Sequence, residues 1–171
     1  MSDNVYLGNP NLKKANTQIE FTEDQILEFL KCKEDPVYFA NNYIKIVSLD
    51  EGLTQFHPYH FQEKLINNFH ENRFNICKMP RQTGKSTTVV SYLLHYAVFN
   101  DSVNIGILAN KAATARELLS RLQTAYENLP KWMQQGIISW NKGSMELENG
   151  SKILAASTSA SAVRGMSFNI L

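Results

Sequence analysis

The stretch Phe74-Asn75-Ile76-Cys77-Lys78-Met79-Pro80-Arg81-Gln82-Thr83-Gly84-Lys85-Ser86-Thr87 decides how the chain is read. Its first six residues are a short, mostly apolar run between polar neighbours, the pattern of a buried strand. Lys85 to Phe99 then carries Val89, Val90, Leu93, Leu94 and Ala97 at helical spacing. Residues 80–84 therefore join a strand to an amphipathic helix, the setting a phosphate-binding loop requires. Consecutive amides at a helix start form an anion cradle that the helix dipole reinforces. Gln82, Thr83, Gly84, Lys85, Ser86 and Thr87 are the candidate binding residues. Lys85 reaches the β and γ phosphates, the Ser86 hydroxyl suits Mg²⁺, and Gly84 lets the backbone approach without a side chain in the way. The first glycine of the general motif is absent, because Met79 stands there. Arg81 inside the loop can stabilise transferring charge as an arginine finger supplied in cis, or serve as a surface or ion-paired arginine.

Outward from the loop the pattern repeats. Val103 to Ala109 reads as a second buried strand, and Lys111 to Asn128 as a helix with Ala115, Leu118, Leu119, Leu122 and Ala125 inward. Strand, helix, strand, helix predicts right-handed crossovers onto a parallel sheet, with Phe74–Met79 and Val103–Ala109 parallel within it and helices on its faces. A short helix over 131–135 follows, then Ile137 to Trp140. Met145 to Glu148 and Ser151 to Ala156 form a hairpin whose Asn149-Gly150 suits a type I′ turn. Ser157 to Gly165 is small and polar, hence a loop, and Ser167 to Leu171 begins another strand. Trp132 and Trp140 are read as packing residues.

Upstream, Pro58 opens a helix through Phe61, Leu65, Ile66 and Phe69 to Asn72. Thr22 and Gln25 form a capping box, with Phe21 and Ile26 as its staple, and Ile26, Leu27, Phe29 and Leu30 make one apolar face. Asp35-Pro36 ends that helix. A second short one covers Val37 to Tyr43, and extended segments flank the Asp50-Glu51-Gly52 turn. Residues 1–20 show no periodicity and read as a loose arm.

Composition narrows the class of protein. The 171 residues are 43% apolar and carry a net charge of +1, which suits one soluble domain and excludes a disordered chain or a general nucleic-acid coat. No apolar run approaches a membrane span or a signal peptide, so a cytosolic protein without membrane contact is expected. Cys32 and Cys77 lie far apart without ligand spacing, and both read as buried small residues.

Pro-Arg-Gln-Thr-Gly-Lys-Ser resembles the deviant Walker A of the large terminase ATPases, the DNA-packaging motors of tailed bacteriophages. The resemblance continues through IGILANKAATARELL, LPKWMQQGIISWNKGSMELENGSKI and SAVRGMSF, is closest to the myovirus type, and covers about residues 55 to 171. It implies an α/β fold of the additional-strand P-loop NTPase type: a parallel sheet flanked by helices, incomplete at its C-terminal end, with a small N-terminal helical lid. The implied organisation is a flexible arm over 1–20, a lid subdomain over 21–54, and an ATPase core over 55–171 that stops just before Walker B, without the nuclease domain. ATP and Mg²⁺ are the implied cofactors. Phe61 and Gln62 are similar to the family's adenine-binding element, the ring stacking on the purine and the amide reading its edge; alternatively Phe61 is a core residue and Gln62 a solvated one. Arg164, in Ser161-Ala162-Val163-Arg164-Gly165, resembles the arginine of a loop before Walker B and acts within its own site, across a subunit boundary, or structurally.

Lys85, Arg81 and Arg164 are thus the candidate catalytic residues, and Ser86 the metal ligand. Double-stranded DNA, the procapsid portal protein, the small terminase subunit and further copies in a ring are the implied partners. The implied location is the host cytoplasm, with transient attachment at the portal. The acidic residues that hold Mg²⁺ and orient water follow in the Walker B strand of this family, so these 171 residues are expected to be nearly inactive alone. Another P-loop ATPase of helicase type, a small kinase and a non-catalytic nucleotide-binding fragment are the competing readings.

Overall fold

The computed structural model describes residues 4–48, 50–158 and 165–171. The opening residues, expected as a loose arm, form a hairpin of β1 (Val5–Tyr6) and β2 (Asn9–Lys13). Leu12 is buried, and the hairpin is tied down by a residue far away in sequence. The Gln134 side chain accepts the Lys13 amide and donates to the carbonyls of Asn11, Tyr126 and Leu129. Lys13 also pairs with Glu148 at 3.0 Å, and the Asn16 amide donates to the same carboxylate. Partial burial pushes the Glu148 pKa up, but hydrogen bonds from the Gly136 backbone, from Lys13 and from the Asn16 amide together hold it below its ordinary value. Local periodicity carries no trace of such a distant anchor.

The N-terminal helices form where their caps predict. Thr22 and Gln25 close the capping box of α1 (Glu23–Glu34). Asp35 caps α2 (Pro36–Tyr43) by accepting the Val37 and Tyr38 amides. The antiparallel pair β3 (Lys45–Ser48) and β4 (Gly52–Gln55) follows, then α3 (His60–Glu71) and α4 (Lys85–Phe99). The two helices of the expected N-terminal lid sit away from the first turn of α4. α1 and α2 pack on the far half of α4, where Phe39 meets His95 and Phe99, Phe29 meets Phe99, and His95 Nε2 lies 2.8 Å from the Cys32 carbonyl. That is ten residues, about 15 Å, along the helix from Lys85. Phe29 alone of the apolar α1 quartet turns to this core, while Ile26, Leu27 and Leu30 remain exposed.

The remaining elements are β5 (Asn104–Ala109), α5 (Ala112–Glu127), β6 (Ile137–Trp140), β7 (Ser144–Leu147) and β8 (Lys152–Ser157). The sheet order is β5-β8-β7-β6, with β5 and β8 parallel and β7 antiparallel to both its neighbours. The domain is therefore mixed α/β, not built on a purely parallel sheet. α5 lies across β5 and β8, and α4 packs on α5. Ile105, Leu119, Leu122, Tyr126, Leu147 and Ile153 make the core between helix and sheet. Residues 131–133 form a turn in place of the expected short helix.

The largest departure concerns Phe74–Met79. This run is not a strand, and Phe74 and Ile76 are 85% and 101% exposed. Cys77, expected inside, is exposed with it. The reason is positional. β8 pairs with one edge of β5, and the other edge is taken by Phe168–Leu171, where Ile170 bridges Ile105 in parallel and the Gly106 amide donates to the Ile170 carbonyl. A groove of about 470 Å³ separates residues 72–77 from that segment, with Val89, Tyr92 and Leu93 of α4 among its lining residues. With no neighbour to share its ladder, an apolar run stays extended without becoming a strand. The hairpin turn also differs: Gly150 has a positive φ but Asn149 does not. The Asn149 side chain instead donates to the carbonyls of Ala97 and Asn100, fixing the turn to the end of α4.

Candidate functional site

The loop before α4 turns by two residues of left-handed conformation, Gln82 at φ +63° and Gly84 at φ +71°. Gly84 is the N-cap of α4 and offers no side chain to the first-turn amides. Those of Lys85, Ser86 and Thr87 have no acceptor among the described residues, as the geometry of a helix start dictates. No acidic residue occupies that turn, so the positive end of the α4 dipole is uncompensated. Ser86 is exposed, whereas Thr88 is buried and bonds back to the Gly84 carbonyl.

Lys85 Nζ folds over its own loop and donates to the carbonyls of Met79 and Pro80, and Thr83 Oγ1 donates to Pro80. Arg81 is exposed. The ion pairs among the described residues lie elsewhere: Lys13–Glu148, His60–Glu63, Arg121–Glu117 and Lys152–Glu146. The donor set fits an anion of phosphate size, with free amides, a helix N-terminus and an ammonium on a flexible stem. For a divalent cation it contributes only the Ser86 hydroxyl. Glu146 and Glu148 serve the hairpin and the N-terminal arm, as their ion pairs show.

Gln62 and Phe61 project differently from one another. Phe61 is half exposed and stacks on Tyr59, with ring centroids 5.8 Å apart and planes 10° from parallel. Tyr59 was not singled out by sequence; its alternation with Phe61 across the Pro58 helix start is the only signal it leaves. Gln62 is buried and inserts its amide between Tyr59 and the loop, so it is not a solvated polar residue. Arg164, with Ser161 to Val163, lies outside the described residues; Gly165 after it has φ +79°. Trp132 packs edge-on against Tyr43 and Trp140 against Tyr126, in line with packing roles. No helix of the described residues is long and apolar enough to cross a membrane. Residues 76–171, over half of the chain, match the family described as terminase large subunit, T4likevirus-type, N-terminal.

Proposed function

The chain belongs to the T4-type large terminase family and represents its N-terminal region, part of the ATPase that drives viral DNA packaging, and from that premise we propose that residues 81–87 are its ATP phosphate site. The observation that carries this reading is the left-handed pair Gln82 and Gly84 set directly before Lys85 at the start of α4. Bound ATP with Mg²⁺ supplies the transferable phosphoryl group and the cation that neutralises its charge. Lys85 leaves the carbonyls of Met79 and Pro80 for the β and γ oxygens, and the amides of α4's first turn take the remaining phosphate oxygens. Ser86 contributes a hydroxyl to the metal. Arg81 swings inward to the transferring group, and Phe61, with Tyr59 beside it, offers a face for the adenine. Arg164 adds a second arginine for the developing phosphoryl charge, in its own site or in a neighbour's.

The additional-strand P-loop fold accounts for the groove beside Phe74–Met79. We propose that this apolar groove, lined in part by Val89, Tyr92 and Leu93 of α4, suits a sheet strand of that fold. Among the described residues no carboxylate reaches the loop, and residues 159–164 contain none, so we propose that these 171 residues bind ATP without appreciable turnover. The assembly read from the family is a ring of copies at the procapsid portal, acting with the small terminase subunit on double-stranded DNA in the host cytoplasm.

Titration calorimetry tests the site. The unmodified chain should bind Mg-ATP, and Lys85→Ala should bind at least a hundredfold more weakly with an unchanged melting temperature. Equal binding by the variant removes the phosphate-loop reading, and rapid hydrolysis by the 171 residues removes the claim that carboxylates are missing.

A further inference from the structure

Gln62 is only 3% exposed although it sits in the first turn of α3, and both ends of its amide are engaged within the protein. Oε1 accepts the Tyr59 amide at 2.8 Å, which closes the start of α3. Nε2 donates to the Thr83 carbonyl at 3.3 Å, across the gap to the loop. The same Nε2 fills the space that a methyl group at Gly84 would need. One side chain therefore spans the start of α3 and the two residues that turn the loop into α4.

The peptide between Thr83 and Gly84 is a rigid trans plane, so its carbonyl and its N–H point in opposite directions. Pinning the Thr83 carbonyl toward Gln62 aims the Gly84 amide away from it, directly before the free first-turn amides of α4 in the chain. A buried amide with one donor and one acceptor already committed, and no exposed face, is poorly placed to read a purine edge. We infer that Gln62 is a positioning residue for the phosphate loop: it holds the Thr83 carbonyl, thereby aims the Gly84 amide, and acts on the phosphate chain of a nucleoside triphosphate rather than on its base. This inference rests on the phosphate-site reading of residues 81–87. It also explains why Gly84 tolerates no side chain on two separate grounds, a positive φ and contact with Gln62.

The test titrates the full chain with Mg-ATP, Mg-GTP and inorganic tripolyphosphate, comparing the unmodified protein with Gln62→Met, which keeps length and removes both bonds. All three ligands should weaken by one common factor of about tenfold, as expected for one lost buried hydrogen bond, with the ATP-to-GTP ratio unchanged. Circular dichroism recorded in parallel should show retained helix content. If ATP weakens while tripolyphosphate binds as before, Gln62 reads the base and the inference is overturned. A folded variant with all three affinities unchanged overturns it equally. Gln62→Leu is judged by the same criteria should Gln62→Met not fold. Failure of the underlying reading looks different: the unmodified chain would bind neither ATP nor tripolyphosphate, and both proposals would fall together.

Discussion

The two ends of α4 divide the labour of the molecule. At its C-terminal end His95, Phe99 and Asn100 are enclosed by α1, α2 and the β7–β8 turn, and the last carbonyls are taken by Asn149 and Ser151. At its N-terminal end the amides have no acceptor among the described residues, Gln82 holds a conformation uncommon for a side-chain-bearing residue, and Lys85 donates to carbonyls of its own loop. Strain and unpaired donors at one end are sustained by dense packing at the other. Substitutions at the buried end should therefore change stability without changing the ligand preference of the folded protein, and substitutions at the loop should do the reverse.

The largest stability effect should come from Phe39→Ala. Phe39 is fully buried and touches His95, Phe99 and Tyr43, so its removal opens a cavity worth about 3–5 kcal/mol. Urea unfolding should show this loss, while ATP affinity, measured where the variant remains folded, should match the unmodified chain. A large affinity change with little loss of stability would break the division proposed for α4.

Acid should act on the same end with slightly smaller effect. Burial, helped by the nearby His70, lowers the His95 pKa from 6.5 to about 4, against the opposing effect of backbone bonds at Cys32 and Lys33 and of the Asp35 charge. The unfolded chain thus binds the extra proton first. Stability is complete above about pH 7, declines as pH falls through 6.5 toward 4, and loses about 3 kcal/mol over that interval. His95→Leu should flatten the decline between about pH 6.5 and 5.5, above the range where carboxylates begin to protonate. An unaltered slope in that variant would assign the acid sensitivity to other groups.

How far this division was legible in sequence depends on the range of the interactions. The α4 boundaries, the α1 capping box and the loop residues are encoded within a few positions, by Thr22 with Gln25 and by Gly84-Lys85-Ser86. The N-terminal arm was misread because its anchor, Gln134, lies more than a hundred residues away. Phe74–Met79 carries a strand's composition, but a strand also requires a neighbour, and composition does not supply one. For the candidate site, the turn into α4 was legible from spacing, whereas the contacts of Gln62 and Tyr59 depend on how α3 meets the loop. Asn149 shows the same limit, since its turn chemistry is local and its bonds to α4 are not.

Asn149→Ala sharpens the comparison at intermediate size. It removes two bonds to the carbonyls that close α4; the Asn100 carbonyl keeps the Ser151 hydroxyl, while the Ala97 carbonyl loses its side-chain donor, a cost of about 1–3 kcal/mol. The readout is a lowered melting temperature with faster amide exchange in the last turn of α4, and unchanged exchange at Ser86 and Thr87. Equal acceleration at both ends would mean that α4 opens as one unit.

The smallest stability change should come from the exposed run before the loop. Phe74→Ser combined with Ile76→Ser replaces side chains that pack little in this structure, so unfolding free energy should shift by about 0.5 kcal/mol or less. Solution behaviour should change far more. Two large apolar side chains beside an apolar groove form a surface on which extended chains can associate, and polar replacements remove that attraction. Light scattering at increasing concentration should show self-association in the unmodified protein and much less in the double variant, with ATP affinity retained in both. A loss of several kcal/mol would show instead that Phe74 and Ile76 are buried in solution. The run would then already belong to the sheet, and the contrast between the open and closed ends of α4 would narrow to the loop alone.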